Sequence, residues 1–237
     1  MYKYLLCYLI VFLVHPALLF AYDNKKTHPS LTEKAVDNAV TSSLFLQEQL
    51  GFMEGFRQDL NNGIETKPIV EWLQDGSTEE DEPNCRAANH FHDPLKPWEE
   101  SQLTDSIAAI DAICEETTEF YIKYSNISWA TGIKNKDGEL MSDNINGTGE
   151  NAVDGRNWFV AREFYYQALT ETNPELRELF FAETFHTLGY VLYLLEDMAV
   201  PAHTRNDFSL CFPGICSGNS IGTSAFSETK QDVVYLM

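Results

Sequence analysis

The sequence predicts an all-α fold, an irregular bundle of helices joined by long ordered loops. Three observations lead there. Apolar residues return at three- and four-residue steps in several segments, no segment alternates apolar and polar residues as a strand does, and no internal repeat or heptad array organises the chain. In such a bundle, facing helices can build a metal site.

The chain opens like an export signal, with Lys3, an apolar run from Tyr4 to Phe20, and the ending "LLFA" before the polar "YDNKKTH". His15 and Pro16 interrupt a run already short for a membrane span, so cleavage is expected after Ala21. Residues 1–21 are then a signal peptide and residues 22–237 a single secreted or periplasmic helical domain. No later stretch is apolar enough to cross a bilayer. The formal net charge of −20 argues against capturing polyanions by bulk charge, and suits a protein that holds cations. With Cys7 removed, Cys85, Cys114, Cys211 and Cys216 are left, an even number that favours disulfides over a zinc cluster in an exported chain. Spacing favours Cys211 with Cys216, which would leave Cys85 for Cys114; four free or buried thiols is the alternative.

The helices follow in order. "HPSLTEKAV" carries a start signature, with Ser30 able to cap and Glu33 able to return the bond, before Val36, Ala39, Val40 and Leu44 on one face. A helix over about 31–50 is expected. "KPIVEWLQDG" predicts a shorter helix ended by Gly76, and the acidic, Pro-containing "STEEDEPNCRAANHFHDPLKP" predicts a functional loop. "SQLTDSIAAIDAICEETTEFYIKYS" has helical spacing, whereas "IKNKDGELMSDNINGTGENAVDG" reads as a surface loop. "RNWFVAREFYYQALT" predicts another helix, and past Asn173 and Pro174 a longer one runs to about Met198, ended by Pro201.

Chemistry concentrates at two places. Tyr193 and Asp197 stand four residues apart, so they share one helix face, and Asp197 lies among Leu194, Leu195 and Met198. A carboxylate there needs a cation, an arginine or a turn toward solvent, and Glu196 with Asp197 at a helix end is read by itself as solvated. His203 follows two residues after Pro201. In "NHFHDP", His90, His92 and Asp93 lie close together behind Asp75, Glu79, Glu80 and Asp81, a set of oxygen and imidazole donors that suits zinc or another divalent ion. His28, before the first helix, is a weaker candidate.

Together these stretches resemble the zinc-dependent phospholipase C and single-strand nuclease superfamily. "HTLGYVLYLLEDMAVPAH" is similar to its His, three residues, Asp, then Pro-x-His signature; "GSTEED" with "NHFHDP" resembles its acidic loop and His-Phe-aromatic-Asp-Pro motif; "THPSLTEKAV" resembles its N-terminal histidine helix. The resemblance implies a helical domain of that family's bundle type, holding up to three zinc ions in a cleft and hydrolysing phosphodiesters, with phospholipid or single-stranded nucleic acid as substrate. It assigns the first ion to His28 and the freed amine and carbonyl of Tyr22, with Asp197 bridging to a second ion. Asp81 and His90 would hold that second ion, and His203 would contribute to the third. Such ions clamp phosphate oxygens and lower the pKa of water, and Asp81 is the residue expected to orient that water. Asp81 and Asp197 are thus the expected catalytic carboxylates, converging with His28 and His90.

The chain departs from the family in three respects. Tyr193 stands where the family has histidine, and a neutral phenol is a poor ligand unless its proton is displaced, so the second site is expected to be weakened unless His92 swings in. No histidine follows His203, which leaves Asp207 or Glu228 for the third ion. The chain ends at "DVVYLM" where the family continues with further helices, which implies a truncated or decaying copy with fewer than three ions. The expectation is therefore an impaired phosphodiesterase, with a non-catalytic metal-binding relative as the alternative. Trp72, Trp98, Trp129, Trp158 and the "FYY" at 164–166 are read as packing, and His186 as a packed or surface histidine. Asn126 and Asn146 head glycosylation sequons.

An intact-mass measurement of the exported protein is expected to place its N-terminus at Tyr22; retention of residues 1–21 would overturn the signal assignment.

Overall fold

The computed structural model describes residues 24–82, 84–97, 100–104, 124–132 and 156–204. The signal segment with Tyr22, the helix expected from Ser101 onward over its stretch 105–123, the loop expected at 133–155 and residues beyond 204 lie outside the described residues. So do Asp207, Glu228, Trp98, Asn146, Cys114, Cys211 and Cys216, together with the Cys85 side chain, and with them both disulfide expectations.

The described chain is mainly helical. It comprises α1 (Asn24–Asn38), α2 (Val40–Gln49), a short hairpin of β1 (Asp59–Asn61) and β2 (Thr66–Pro68), α3 (Ile69–Glu79), α4 (Asn126–Thr131), α5 (Trp158–Thr170), α6 (Pro174–Asp197) and α7 (Pro201–Thr204). The hairpin, antiparallel with Leu60 opposite Lys67, was not expected. Its signal was the Asn62-Gly63 pair: Gly63 sits at φ +89° and Asn62 Oδ1 accepts from the N–H groups of Ile64 and Glu65, turning the chain back.

Helix α1 begins well before the expected start, so Ser30 lies inside it and the predicted capping box is not an N-terminus. Pro29 is also inside α1, and a proline removes one helical N–H, which is why this stretch reads as a boundary. The carbonyl of Pro29 accepts from Gln74 Nε2 at 3.1 Å, tying α1 to α3. The expected single helix is divided at Ala39 (φ −84°, ψ 57°) into α1 and α2.

The later starts are better marked. Asn173 caps α6, accepting from Glu175 N at 2.9 Å and Leu176 N at 3.2 Å, with Pro174 at the first helical position. Asn157 caps α5 through Val160 N at 3.1 Å. Ser125 caps α4, which ends on Gly132 at φ +68°.

The core lies between α3, α5 and α6, and is built from Leu46, Leu60, Ile69, Trp72, Leu73, Ala168, Phe181, Ala182 and Phe185. Trp72 is buried and donates from Nε1 to Leu60 O at 3.1 Å, whereas Trp158 is 46% exposed, so the packing role expected for all four tryptophans fails there. Gly76 does not end α3 as expected. It faces Gly189 of α6 across the helix crossing, where a Cβ on Gly76 would overlap His186 O and lie 3.0 Å from Gly189 Cα. A Cβ on Gly189 would overlap Leu73 O and lie 2.9 Å from Gly76 Cα. Only glycine at both positions lets the two backbones approach this closely.

Gly76→Ala is expected to destabilise the protein by about 3 kcal/mol, because the clash is with backbone that cannot rotate aside. That corresponds to a fall in thermal midpoint of roughly 6–12 °C in a domain of this size. An unchanged midpoint in a calorimetric scan would contradict the packing described.

Candidate metal centre

Both α3 and α6 run from the glycine crossing into one polar cluster. Four and eight residues past Gly189, α6 brings Tyr193 and Asp197 into the interior, both buried. Just past the end of α3 come Glu80 and Asp81. Between them sits the "HFHDP" segment, laced in place by its backbone: Asn126 N donates to Phe91 O at 2.9 Å, His92 N to His203 O at 3.0 Å and Asp93 N to Ser101 O at 2.9 Å. Asn126 Nδ2 bridges His90 O at 3.3 Å and Leu194 O at 3.0 Å. Asn126 is thus a buried crosslink between the histidine segment and α6, with no room for a glycan, and its sequon is structural.

Asp197 is the hub. Its Oδ2 lies 3.0 Å from His90 Nδ1, and its Oδ1 lies 3.2 Å from His203 Nδ1 and 3.6 Å from His28 Nε2. Asp81 Oδ1 stands 4.0 Å from the same His90 Nδ1. Residues from α1, the 90–92 segment, α6 and α7 therefore meet around one carboxylate that is 1% exposed. Asp197 pairs with His28, His90 and His203, while among the described residues the buried His92 Nδ1 has no hydrogen-bond partner.

The contacts around Asp197 are close but badly aligned. Asp197 Oδ2, His90 Nε2 and His203 Nδ1 are all buried and all lack a hydrogen bond, although carboxylate and imidazole lie within about 3 Å of each other. Two donors on one tetrahedral zinc, each about 2.0–2.2 Å from it, sit roughly 3.3–3.6 Å apart with both lone pairs aimed at the ion rather than at one another. The donor types, imidazole and carboxylate, suit a divalent cation. Among the described residues, no group of three or more His, Cys, Asp or Glu side chains is posed around a common point that could hold an ion in this state, so the rings that lean on Asp197 would have to turn.

Around the hub lies a second set of groups, of which Glu196 was not foreseen as part of the site and Glu80 was foreseen only as a donor in the acidic run. Glu196, expected to be solvated, accepts from His28 Nδ1 at 2.8 Å and from Thr32 Oγ1 at 3.0 Å. Glu80 is fully buried; it accepts from Trp129 Nε1 at 2.9 Å and Arg86 Nη2 at 2.5 Å, with its Oε1 3.7 Å from His90 Nε2. Burial would raise the Glu80 carboxyl, but Arg86 and then His90 outweigh it and hold it below its ordinary value. The signal available in the sequence was the pairing itself, Glu80-Asp81 and Glu196-Asp197, one glutamate before each candidate aspartate. His186 is a packed histidine, 3.2 Å from Glu79 Oε2 and 3.2 Å from the Tyr190 hydroxyl.

Tyr193 stacks on His28, ring centroids 3.8 Å apart, and tilts against His90 at 5.0 Å. Burial, then the charges of Asp197 and Asp81, push its phenol far above the ordinary value, so it keeps its proton in the absence of a cation.

Burial pulls the His90 imidazole down, but Asp197 and Glu80 outweigh it and raise its pKa from 6.5 to about 9. Burial also raises Asp197, yet His203 and His90 outweigh that and hold it down at about 2. A raised folded pKa contributes stability that is complete below the unfolded value and is lost as pH rises through the folded one; a lowered carboxylate contributes above its unfolded value and is lost on acidification. The metal-free protein is therefore expected to lose on the order of 3 kcal/mol of His90-linked stability as pH rises from 6.5 through about 9. On the acid side, the Asp197 contribution fades from 3.8 down through about 2. Urea unfolding with chelator present measures both, and His90→Gln should flatten the alkaline limb.

Comparison of the chain with family models, with curated proteins and with solved structures finds no match, so the convergence of side chains on Asp197 is the functional evidence that the molecule itself carries.

Proposed function

We propose that the protein is an exported metal-dependent hydrolase of phosphodiesters, an impaired relative of the zinc phospholipase C and single-strand nuclease type, with its helices in that family's irregular bundle. The observation that carries the reading is the meeting of His28, His90 and His203 on one buried carboxylate whose contacts are close without being hydrogen bonds. Five acidic side chains, Glu80, Asp81, Glu196, Asp197 and Glu79, cluster at the ends of α3 and α6, with Arg86 paired to Glu80. A buried carboxylate needs a countercharge, and a divalent ion would supply it.

The residues that would hold ions are His28, His90, His203, Asp81 and Asp197. Bound zinc would supply Lewis acidity toward phosphate oxygens and a water that loses its proton near neutral pH. The remaining chemistry belongs to the chain. Asp197 offers one oxygen to each side of the cluster and spaces the imidazoles around it. Asp81, with its side chain 22% exposed against 1% for Asp197, is the carboxylate that an attacking water could reach, so orienting that water falls to it. Phospholipid and single-stranded nucleic acid both present the required phosphodiester. The net charge of −20 leaves any attraction for a polyanion to the ions themselves.

A second reading, an ion-binding protein without turnover, is favoured by Tyr193. Its phenol holds its proton and its ring lies flat on His28, where the family's histidine would add an imidazole donor. Losing that donor loosens the site that Asp197 bridges, and with it the geometry of hydrolysis.

Elemental mass spectrometry of the full exported chain, alongside turnover of an aryl phosphodiester, separates these readings. Fewer than three ions and slow turnover are expected, with Tyr193→His raising both ion content and rate. Absence of bound metal at millimolar zinc would remove the metal-centre reading; three ions with fast turnover would remove the impairment.

A further inference from the structure

We infer that Glu196 is a positioning residue: it holds the His28 imidazole by Nδ1, turned away from the centre, and so presents Nε2 toward Asp197. Its functional meaning rests on the metal-centre reading above. The geometry begins with a 2.8 Å hydrogen bond between His28 Nδ1 and Glu196 Oε2. An ionised carboxylate can only accept, so the proton is on Nδ1. Nε2, on the opposite edge of the ring, stands 3.6 Å from Asp197 Oδ1, so Nε2 is the nitrogen that the centre would use as a donor.

Glu196 is itself fixed. Its other oxygen accepts from Thr32 Oγ1 at 3.0 Å, and Thr32 stands one helical turn after His28 on α1, fully buried. Both oxygens of Glu196 thus grip the same face of α1. Tyr193 closes the stack with its ring 3.8 Å from that of His28 at an interplanar angle of 26°, which resists tilting of the imidazole. Consecutive residues of α6 consequently address opposite nitrogens of one ring, Glu196 from behind and Asp197 from the front. A carboxylate behind a ligating histidine fixes its tautomer and raises its basicity, and removing such a partner typically weakens metal binding by about 10- to 100-fold.

The test uses the full chain with ¹⁵N-labelled histidine. In the metal-free protein, the imidazole ¹⁵N shifts are expected to report Nδ1 as the protonated, hydrogen-bonded nitrogen of His28. Glu196→Leu should mix the tautomers and weaken zinc binding about 10- to 100-fold. Glu196→Gln, whose amide oxygen still accepts from Nδ1, should keep the tautomer and most of the affinity. Thr32→Val removes only the anchor of Glu196 and should mix the tautomers with a smaller loss, which keeps the test open if Glu196→Leu fails to fold. Glu196→Leu or Thr32→Val retaining a pure Nδ1–H ring and full zinc affinity would overturn the inference. The tautomer is read without metal, so failure of the unaltered protein to bind zinc would remove the metal centre while the positioning of His28 stood.

Discussion

The close crossing of α3 and α6 at Gly76 and Gly189 is the constraint on which the rest depends. With Cβ atoms absent on both sides, the two backbones meet almost directly, and everything C-terminal to that point is delivered by helical geometry. One and two turns beyond Gly189 come Tyr193 and Asp197; one turn beyond Gly76 come Glu80 and Asp81. A larger residue at either glycine would separate the helices and draw the two acidic pairs apart. The apolar core around Trp72, Leu73 and Phe185 holds the crossing from one side, so hydrophobic burial and the polar cluster are coupled through the same two helices.

That cluster is electrostatically unbalanced. Glu80 has Arg86 and Trp129 as partners and is satisfied within the protein. Asp197 has only imidazoles, held near 3 Å without hydrogen-bond alignment. In the metal-free state a proton on His90 supplies the missing positive charge, which is the physical content of its raised pKa. Protons and divalent ions would therefore compete for the same place, since a ligating imidazole must be neutral. Tyr193 adds bulk and stacking to this pocket without adding charge.

Much of this was legible in the sequence. Apolar spacing predicted the helices now seen as α5 and α6, and the Asn173-Pro174 break marked the start of α6 correctly, because caps and prolines act locally. The pairing of His90, His203 and Asp197 in one site was suggested by motif order, and the chain does bring them together. Other features misled for equally physical reasons. Pro29 and Ser30 read as a helix start because both usually sit at one, yet here both lie inside a helix that docks on α3, with Gln74 donating to the Pro29 carbonyl. Gly76 read as a helix end because glycine favours the left-handed cap; here it serves close approach instead.

The sequence by itself determined the helical class, the strongest helix boundaries and the donor types available to a cation, since periodicity, capping and side-chain chemistry are local properties. Only the tertiary structure decided which carboxylates face inward and what they touch. Glu196 reads as a solvated neighbour of Asp197 and Glu80 as one acidic donor beside Asp81 in the linear chain, yet Glu80 is sealed against Arg86 and Trp129 and Glu196 against His28 and Thr32. Those partners lie between 6 and 168 residues away in sequence. Their meeting depends on the register of two helices at a glycine contact, a long-range packing constraint that no short stretch of sequence encodes.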